Sequence, residues 1–240
     1  MFLKLLSGKG IKKHGLALLS GPKQVAEVLR EFPEKCSGVL LAERMRVPAH
    51  PSMGETGTYE LAPELFREVD LFGTDHPILL VRAAPFEEWD PMGWPAGCTL
   101  FVPFQDPANV GAVIRTGAAF GVSQVVLLEE AAHPFLPKSM RAAGSCLFRV
   151  PMVTGPSIRD LHQAGVPLIT LSPRGKDMAE YRFPGTFGLI PGLEGPGLPA
   201  NLMELDSLSI PMGRNVESLN AALATGIALY VWRSGKPFTA

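Results

Sequence analysis

The sequence has almost no net charge. Across 240 residues, 22 Lys and Arg face 23 Asp and Glu, for a formal charge of −1. A protein that coats nucleic acid without selectivity is strongly basic, so the balance argues against that class; an enzyme with a local basic patch stays open. Cysteine is scarce. Cys36, Cys98 and Cys146 are too few and too scattered for a disulfide framework or a zinc site, and they read as reduced thiols of a cytoplasmic protein. No apolar run reaches the length of a membrane span. Met1 to Leu6 is apolar but short, holds Lys4 and runs into Lys9, Lys12 and Lys13, which is not the pattern of a secretory signal. The five histidines (His14, His50, His76, His133, His162) lack ligand spacing, so no metal is expected. No Gly-x-Gly-x-x-Gly follows a strand and opens a helix, which argues against a Rossmann cofactor site. Internal repeats and low-complexity tracts are absent as well.

What is present fits a well-packed protein: 46% hydrophobic and 19% charged residues. The length suits one large domain or two modest ones. Residues 1–85 read as a small α/β unit. Its strands are expected at Leu16–Ser20, Gly38–Leu41 and Ile78–Val81, and its helices at Lys23–Glu31 and Pro63–Val69, with a loop from Arg44 to Thr58. Residues 86–97 have linker composition, with prolines, glycines and Glu87, Glu88 and Asp90. From residue 98 to 240 the strands become continuous apolar runs: Leu100–Phe104, Val125–Leu128, Leu168–Leu171, Phe187–Ile190 and Leu208–Ile210. Such runs mark strands covered on both faces, as in a parallel sheet flanked by helices. Helices are expected at Val110–Phe120, Lys138–Ala143 and Ile158–Ala164, and from Ser218 onward. The fold class is therefore α/β.

Three stretches carry the chemistry. The last, Ile210-Pro-Met-Gly-Arg-Asn-Val-Glu-Ser-Leu-Asn220, sets a polar loop at the mouth of a nearly uncharged helix. Either Ser218 caps a buried helix, or the helix amides and side chains face a polar ligand. The first, Asp106-Pro-Ala-Asn-Val-Gly-Ala-Val-Ile-Arg115, places Asn109 where an N-cap belongs. Arg115 is the only charge between Asn109 and Gln124, so it either snorkels to solvent or sits at a site. The middle one, Leu189-Ile-Pro-Gly-Leu-Glu-Gly-Pro-Gly-Leu198, holds Glu194 in a glycine-rich turn where backbone can approach a ligand closely. Any one of these is weak evidence, but three in this order are specific.

Together, from about Leu100 to Arg233, the three stretches resemble the motifs of the SpoU/TrmH branch of the SPOUT methyltransferases, which methylate ribose 2′-hydroxyls in RNA. The resemblance implies a C-terminal trefoil knot and S-adenosylmethionine as cofactor. It implies that Leu171, Gly192, Ile210 and Leu219 line the cofactor pocket. It places Asn109 and Arg115 on the RNA-facing side of the catalytic pocket, with Glu194, Ser218 and Asn220 completing the polar set. Residues 1–85 loosely resemble the ribosomal-protein-like domain that often precedes the catalytic domain, through Gly10-Ile-Lys-Lys-His14 and Gly21-Pro-Lys-Gln-Val25. The run Lys9, Lys12, Lys13, His14 and the segment around Arg141 and Ser145 are either solvated faces or contacts to RNA phosphates.

The expectation is an S-adenosylmethionine-dependent RNA ribose 2′-O-methyltransferase, a cytoplasmic homodimer acting on 23S ribosomal RNA. Its rivals are a tRNA enzyme of the same kind and a non-catalytic RNA-binding or ribosome-assembly protein on the same scaffold. A small-molecule α/β enzyme lacks an identifiable nucleophile–base set.

Overall fold

The computed structural model describes residues 1–48, 57–162, 165–192, 198–213 and 216–234. The chain packs as two compact units. One is Met1–Pro85 with His133–Phe148; the other is Phe86–Ala132 with Arg149–Ala240.

The first unit is built on a four-stranded sheet of β1 (Leu16–Leu19), β2 (Cys36–Ala42), β3 (Gly57–Leu61) and β4 (Ile78–Arg82), in the order β1-β4-β2-β3. β4 runs antiparallel to both β1 and β2, and β2 is parallel to β3. Its helices are α1 (Gly8–His14), α2 (Pro22–Glu31), α3 (Pro63–Val69) and α5 (Pro137–Ala143), the last from the later segment. α1 is held at both ends. Ser7 accepts a bond from the Gly10 amide, and Gly15 closes the helix in the left-handed region that only glycine enters cheaply. α2 is amphipathic and buries Val25, Val28 and Leu29. Leu5, Leu18, Leu40, Ile78 and Leu80 meet Phe66 and Val69 in the core. β3 falls partly inside the expected loop Arg44–Thr58. It is an edge strand exposed at four of its five positions, so it lacks the apolar alternation that marks a strand. Residues 49–56 of that loop lie outside the described residues.

The second unit holds a six-stranded sheet, entirely parallel, in the order β10-β8-β9-β5-β6-β7. Its strands are β5 (Gly97–Val102), β6 (Gln124–Leu127), β7 (Met152–Thr154), β8 (Leu168–Asp177), β9 (Thr186–Ile190) and β10 (Asp206–Ser209). Leu100, Phe101 and Val102 are all fully buried, so β5 is covered on both faces, as its unbroken apolar run requires. The sheet is flanked by α4 (Pro107–Phe120) and α6 (Ala221–Arg233), which pack on each other. Residues 86–89 belong to this unit: Trp89 donates its amide to Thr154, and Thr154 donates to Glu87. Trp89 and Trp94 stack edge-on and tilted against Phe101, with centroids 5.2 and 5.9 Å away.

Two helices differ from the expected ones. The helix expected at Ile158–Ala164 is instead a turn over residues 158–160, with residues 163 and 164 outside the described set. The Ile158 and Leu161 carbonyls accept from Asn201 Nδ2 at 3.2 and 2.7 Å, and the Glu130 carboxylate takes the Ile158 amide. Side chains thus take groups that a helix would pair internally. α4 begins at Pro107 rather than Val110, because Asp106 caps it through the Ala108 amide at 3.0 Å and a proline at the first helical position loses no bond.

Candidate functional site

At the carboxyl ends of β8, β9 and β10 the second unit opens into a cleft of about 510 Å³. Crevices of open parallel sheets form there, where the chain leaves each strand for the next connection. Leu171, Ser172, Pro173 and Met178 line it from β8 and the turn beyond it. Gly192 follows β9, while Leu208, Ile210 and Met212 come from β10 and its exit. Ser218, Leu219, Asn220, Ala221 and Ala224 enclose the remainder at the entrance of α6. The lining is mostly apolar with a few polar groups, the composition of a small-molecule site.

Four residues expected in a cofactor pocket, Leu171, Gly192, Ile210 and Leu219, therefore share this cleft with Ser218 and Asn220. Gly192 packs so tightly that a β-carbon would come within 2.9 Å of the Leu171 carbonyl. Any side chain there would force the ends of β8 and β9 apart. Glu194 lies outside the described residues.

The cap of α6 is Asn220, not Ser218. Its Oδ1 accepts from the Leu223 amide at 3.1 Å, and the helix begins at Ala221. Asparagine is as good a cap as serine, and the extended backbone of Asn220 (φ −51°, ψ 135°) suits the position. Ser218 sits two residues earlier, on the cleft wall. The other end of the Asn220 amide reaches across to α4: Nδ2 donates to Asn109 Oδ1 at 3.1 Å. Asn109 is accordingly a residue of the first turn of α4 rather than its cap. This bond joins the first and last of the three motif stretches. Further along, Gly226 of α6 faces Thr116 of α4, where an added β-carbon would stand 3.4 Å from the threonine methyl. α6 thus runs along the Asn109–Thr116 side of α4. Arg115 lies one helical step off that side, is exposed, and is not among the residues lining the cleft.

Beside the cleft, Lys176 Nζ donates to Asp206 Oδ1 at 2.9 Å, and Tyr181 donates to the other oxygen at 3.4 Å. The Lys176 bond holds the Asp206 carboxyl below the usual carboxylate range, and the pairing raises Lys176. Both groups are exposed, so the pair adds little stability. It does tie the end of β8 to β10, next to Met178. Sequence reading missed Ser172, Met178, Leu208 and Met212 as lining residues. Met212 and Leu208 flank the singled-out Ile210, so their neighbourhood was the available signal. Among the described residues, no three His, Cys, Asp or Glu side chains gather into a metal-binding group, and no helix is long and apolar enough to cross a membrane.

Residues 99–230 match the model of the SpoU rRNA methylase family. The chain belongs to this family. A relative from Syntrophobacter fumaroxidans, named ribosomal RNA small subunit methyltransferase G 2, is 50% identical over 234 residues. The match covers 97% of the chain but only 47% of that protein, so the chain spans about half its length. The 23S rRNA (guanosine(2553)-2′-O)-methyltransferase RlmP of Bacillus subtilis is 31% identical over 95% of the chain and 92% of its own length. Among solved structures, an rRNA methyltransferase from Sinorhizobium meliloti with bound AdoMet superposes with a TM-score of 0.77. It is 22% identical over 99% of the chain and 94% of its own, and that likeness speaks for the fold alone. The SpoU-type α/β fold with a parallel sheet is the fold expected from the three stretches.

Proposed function

We propose that this SpoU-family chain transfers a methyl group from S-adenosylmethionine to a ribose 2′-hydroxyl of ribosomal RNA, most consistently 23S. The observation that carries the reading is the cleft. Residues from three separate parts of the sequence, at 171, 192, 210 and 218–220, converge on one apolar crevice at the sheet's carboxyl edge. The RlmP relative, matched over nearly its full length, supports the large-subunit substrate.

The cleft fits the cofactor in size and character. About 510 Å³ lies within the range of small-molecule sites, roughly 300–1,000 Å³. Leu171, Ile210 and Leu219 offer apolar walls, and the absent side chain of Gly192 lets backbone groups come close. When bound, S-adenosylmethionine supplies an electrophilic methyl on a sulfonium. The chain's own task is to bring the ribose oxygen in line with that methyl and to manage its proton. Asn109, tied to Asn220, sits where α4 meets the cleft wall. Arg115, exposed on the adjoining side of α4, clamps the target phosphate and orients the hydroxyl. A guanidinium resists deprotonation, so the proton leaves by another group, with Glu194 the candidate. Ser218 lines the wall as a polar contact.

The reading extends to a homodimer. Leu223 and Tyr230 of α6 are 55% and 62% exposed on one stripe of that helix, and Tyr230 meets Phe120 of α4 edge-on. A second copy laid on this stripe would cover it and bring its groups to Arg115. The reading also includes the C-terminal trefoil knot, cytoplasmic residence, and a ribosomal-protein-like domain in residues 1–85 that selects RNA.

The test is transfer of isotope-labelled methyl from S-adenosylmethionine to ribosomal RNA, with the product nucleotide mapped. Label on a 2′-oxygen of 23S RNA is the expected result. Label on tRNA would reassign the substrate. No labelled RNA under any condition would leave a binding protein on this scaffold.

A further inference from the structure

The near-zero charge of the whole chain conceals a segregation. Residues 1–30 and 137–143 hold eight Lys and Arg against one Glu, while residues 31–85 hold five against nine Asp and Glu. The second unit, which contains the cleft, carries nine basic residues against thirteen acidic ones. Electrostatic attraction for a polyanion must therefore come from the first unit, and from one part of it.

The fold gathers that part. β1 is an edge strand of the first sheet, and both α1 and α5 pack on it, although α5 lies about 120 residues later in the chain. Lys9, Lys12 and Lys13 recur at helical i, i+3 and i+4 spacing, so they share the exposed face of α1. Lys138 and Arg141, at i and i+3, share the exposed face of α5. The turn that leads into α5 touches α1: a β-carbon on Gly8 would stand 3.2 Å from His133. Four other cations of this unit are paired, Lys23 with Glu27, Arg30 with Glu31, Arg44 with Glu43 and Arg67 with Glu64, while Arg82 donates to the Glu34 carbonyl. Among the described residues, none of the five on α1 and α5 is in an ion pair. Arg141 is pre-oriented, with its guanidinium stacked 4.3 Å over the Phe72 ring, which leaves the edge of the fork for hydrogen bonds. Glu60 lies on β3, at the opposite edge of the sheet.

We propose that the β1 side of the first unit is the RNA-docking face, with the phosphate backbone running across Lys9, Lys12 and Lys13 of α1 and Lys138 and Arg141 of α5. This rests on the reading that RNA is the substrate. RNA suits the face better than a membrane does. The apolar residue of α1, Ile11, is fully buried in the core and has nothing to insert into lipid. A row of unpaired cations on two rigid helices instead matches the regular charge of a nucleic-acid backbone, positioning it without reading its sequence.

The full-length protein would be compared with K9Q/K12Q/K13Q and with K138Q/R141Q, using an unmodified 23S RNA transcript. The readouts are the RNA dissociation constant across a salt series and the split between kcat and KM for methyl transfer. The plot of log affinity against log salt should become shallower by about 2 for the first variant and about 1.4 for the second. KM should rise while kcat at saturating RNA and S-adenosylmethionine affinity hold. Lys138→Gln, which makes no hydrogen bond or ion pair among the described residues, keeps the α5 arm readable should loss of the Arg141 stack unfold the helix. E60Q/E64Q/E68Q should leave the salt slope unchanged. If wild type methylates the transcript and both basic variants bind it with an unaltered slope, the docking face is overturned and the methyltransferase reading survives. If wild type transfers no methyl to any RNA, the enzymatic reading falls, and the salt slopes still decide the face. Cosedimentation with phosphatidylserine vesicles that the basic variants abolish, beside unchanged RNA slopes, would overturn it in favour of a membrane surface.

Discussion

Replacing Asn220 with alanine removes two hydrogen bonds at once. One is the cap on the Leu223 amide, and the other is the donation to Asn109 across the α4–α6 contact, each 3.1 Å long. Loss of an asparagine cap costs about 1 kcal/mol. Loss of a partly exposed side-chain bond costs about 1 kcal/mol more. The sum, about 2 kcal/mol, lowers the melting temperature of a domain of this size by roughly 4–8 °C. Aspartate at the same position separates the parts. Its carboxylate still accepts from Leu223, gains from the helix dipole, and can receive a bond from Asn109 if that amide flips, so Asn220→Asp should unfold within about 1 kcal/mol of wild type. The assay is urea unfolding followed by tryptophan fluorescence. Trp89, Trp94 and Trp232 all lie in the second unit, so the signal reports that unit alone. A double-mutant cycle with Asn109→Ala should give a coupling of about 0.5–1.5 kcal/mol. An Asn220→Ala midpoint equal to wild type would show that neither bond stabilises the fold. If Asn220→Asp keeps its midpoint but loses methyl transfer, the amide serves the ligand as well as the helix; if it keeps both, Asn220 is a cap and no more.

Other outcomes follow from the same geometry. Arg115→Ala should abolish methyl transfer at saturating RNA while calorimetry finds S-adenosylmethionine binding intact, and Arg115→Lys should be nearly as inactive, since it loses the planar fork. Retained turnover in Arg115→Ala would make the residue an ordinary exposed helix position. Gly192→Ala places a β-carbon against the Leu171 carbonyl, so it should cost about 1–3 kcal/mol in stability and weaken cofactor binding; an unchanged calorimetric titration would refute the close approach. Burial, and then Lys12, push His133 down to about 4, and its Nδ1 accepts from the Phe135 amide. Between pH 6.5 and 4 the unfolded chain takes a proton that the folded one refuses. Stability therefore falls as pH drops through that window, by at most about 3 kcal/mol, and is flat above it. His133→Gln should flatten that limb in circular dichroism melts; an identical pH profile would contradict it.

Prolines explain most of the boundary errors in the sequence reading. Pro22 and Pro137 read as the last residues of preceding turns, so their helices were expected one residue late, and the helix that opens at Pro107 was expected three residues late because Asn109 read as its N-cap. Each instead occupies the first helical position, where a missing N–H costs nothing. The parallel sheet was legible because both of its faces are covered, which leaves unbroken apolar runs such as Leu100 to Val102. β7 escaped notice because three residues are too few to show a period, and β3 because an exposed edge has no apolar side. The cleft residues at 171, 192, 210 and 219 came from the family resemblance, since no periodicity marks a wall assembled from strand ends. The Asn109–Asn220 bond joins residues 111 apart in sequence, and nothing local to either asparagine announces it.

The placement of α5 has a consequence for biosynthesis. Domains emerging from a ribosome usually finish folding in the order in which they are made. Here β1 is complete at residue 19, yet α5, which buries Pro137, Met140 and Ala143 in the same unit, appears only at 137–143. At about 5–20 residues per second, translation leaves β1 without that helix for roughly 6–24 seconds. In the interval β5, α4 and β6 are synthesised, and β5 still waits for β9 at residues 186–190 to close its other side. Neither unit can be completed before the other has begun. The nascent chain must carry both units unfinished, the first with all four strands made but still without α5.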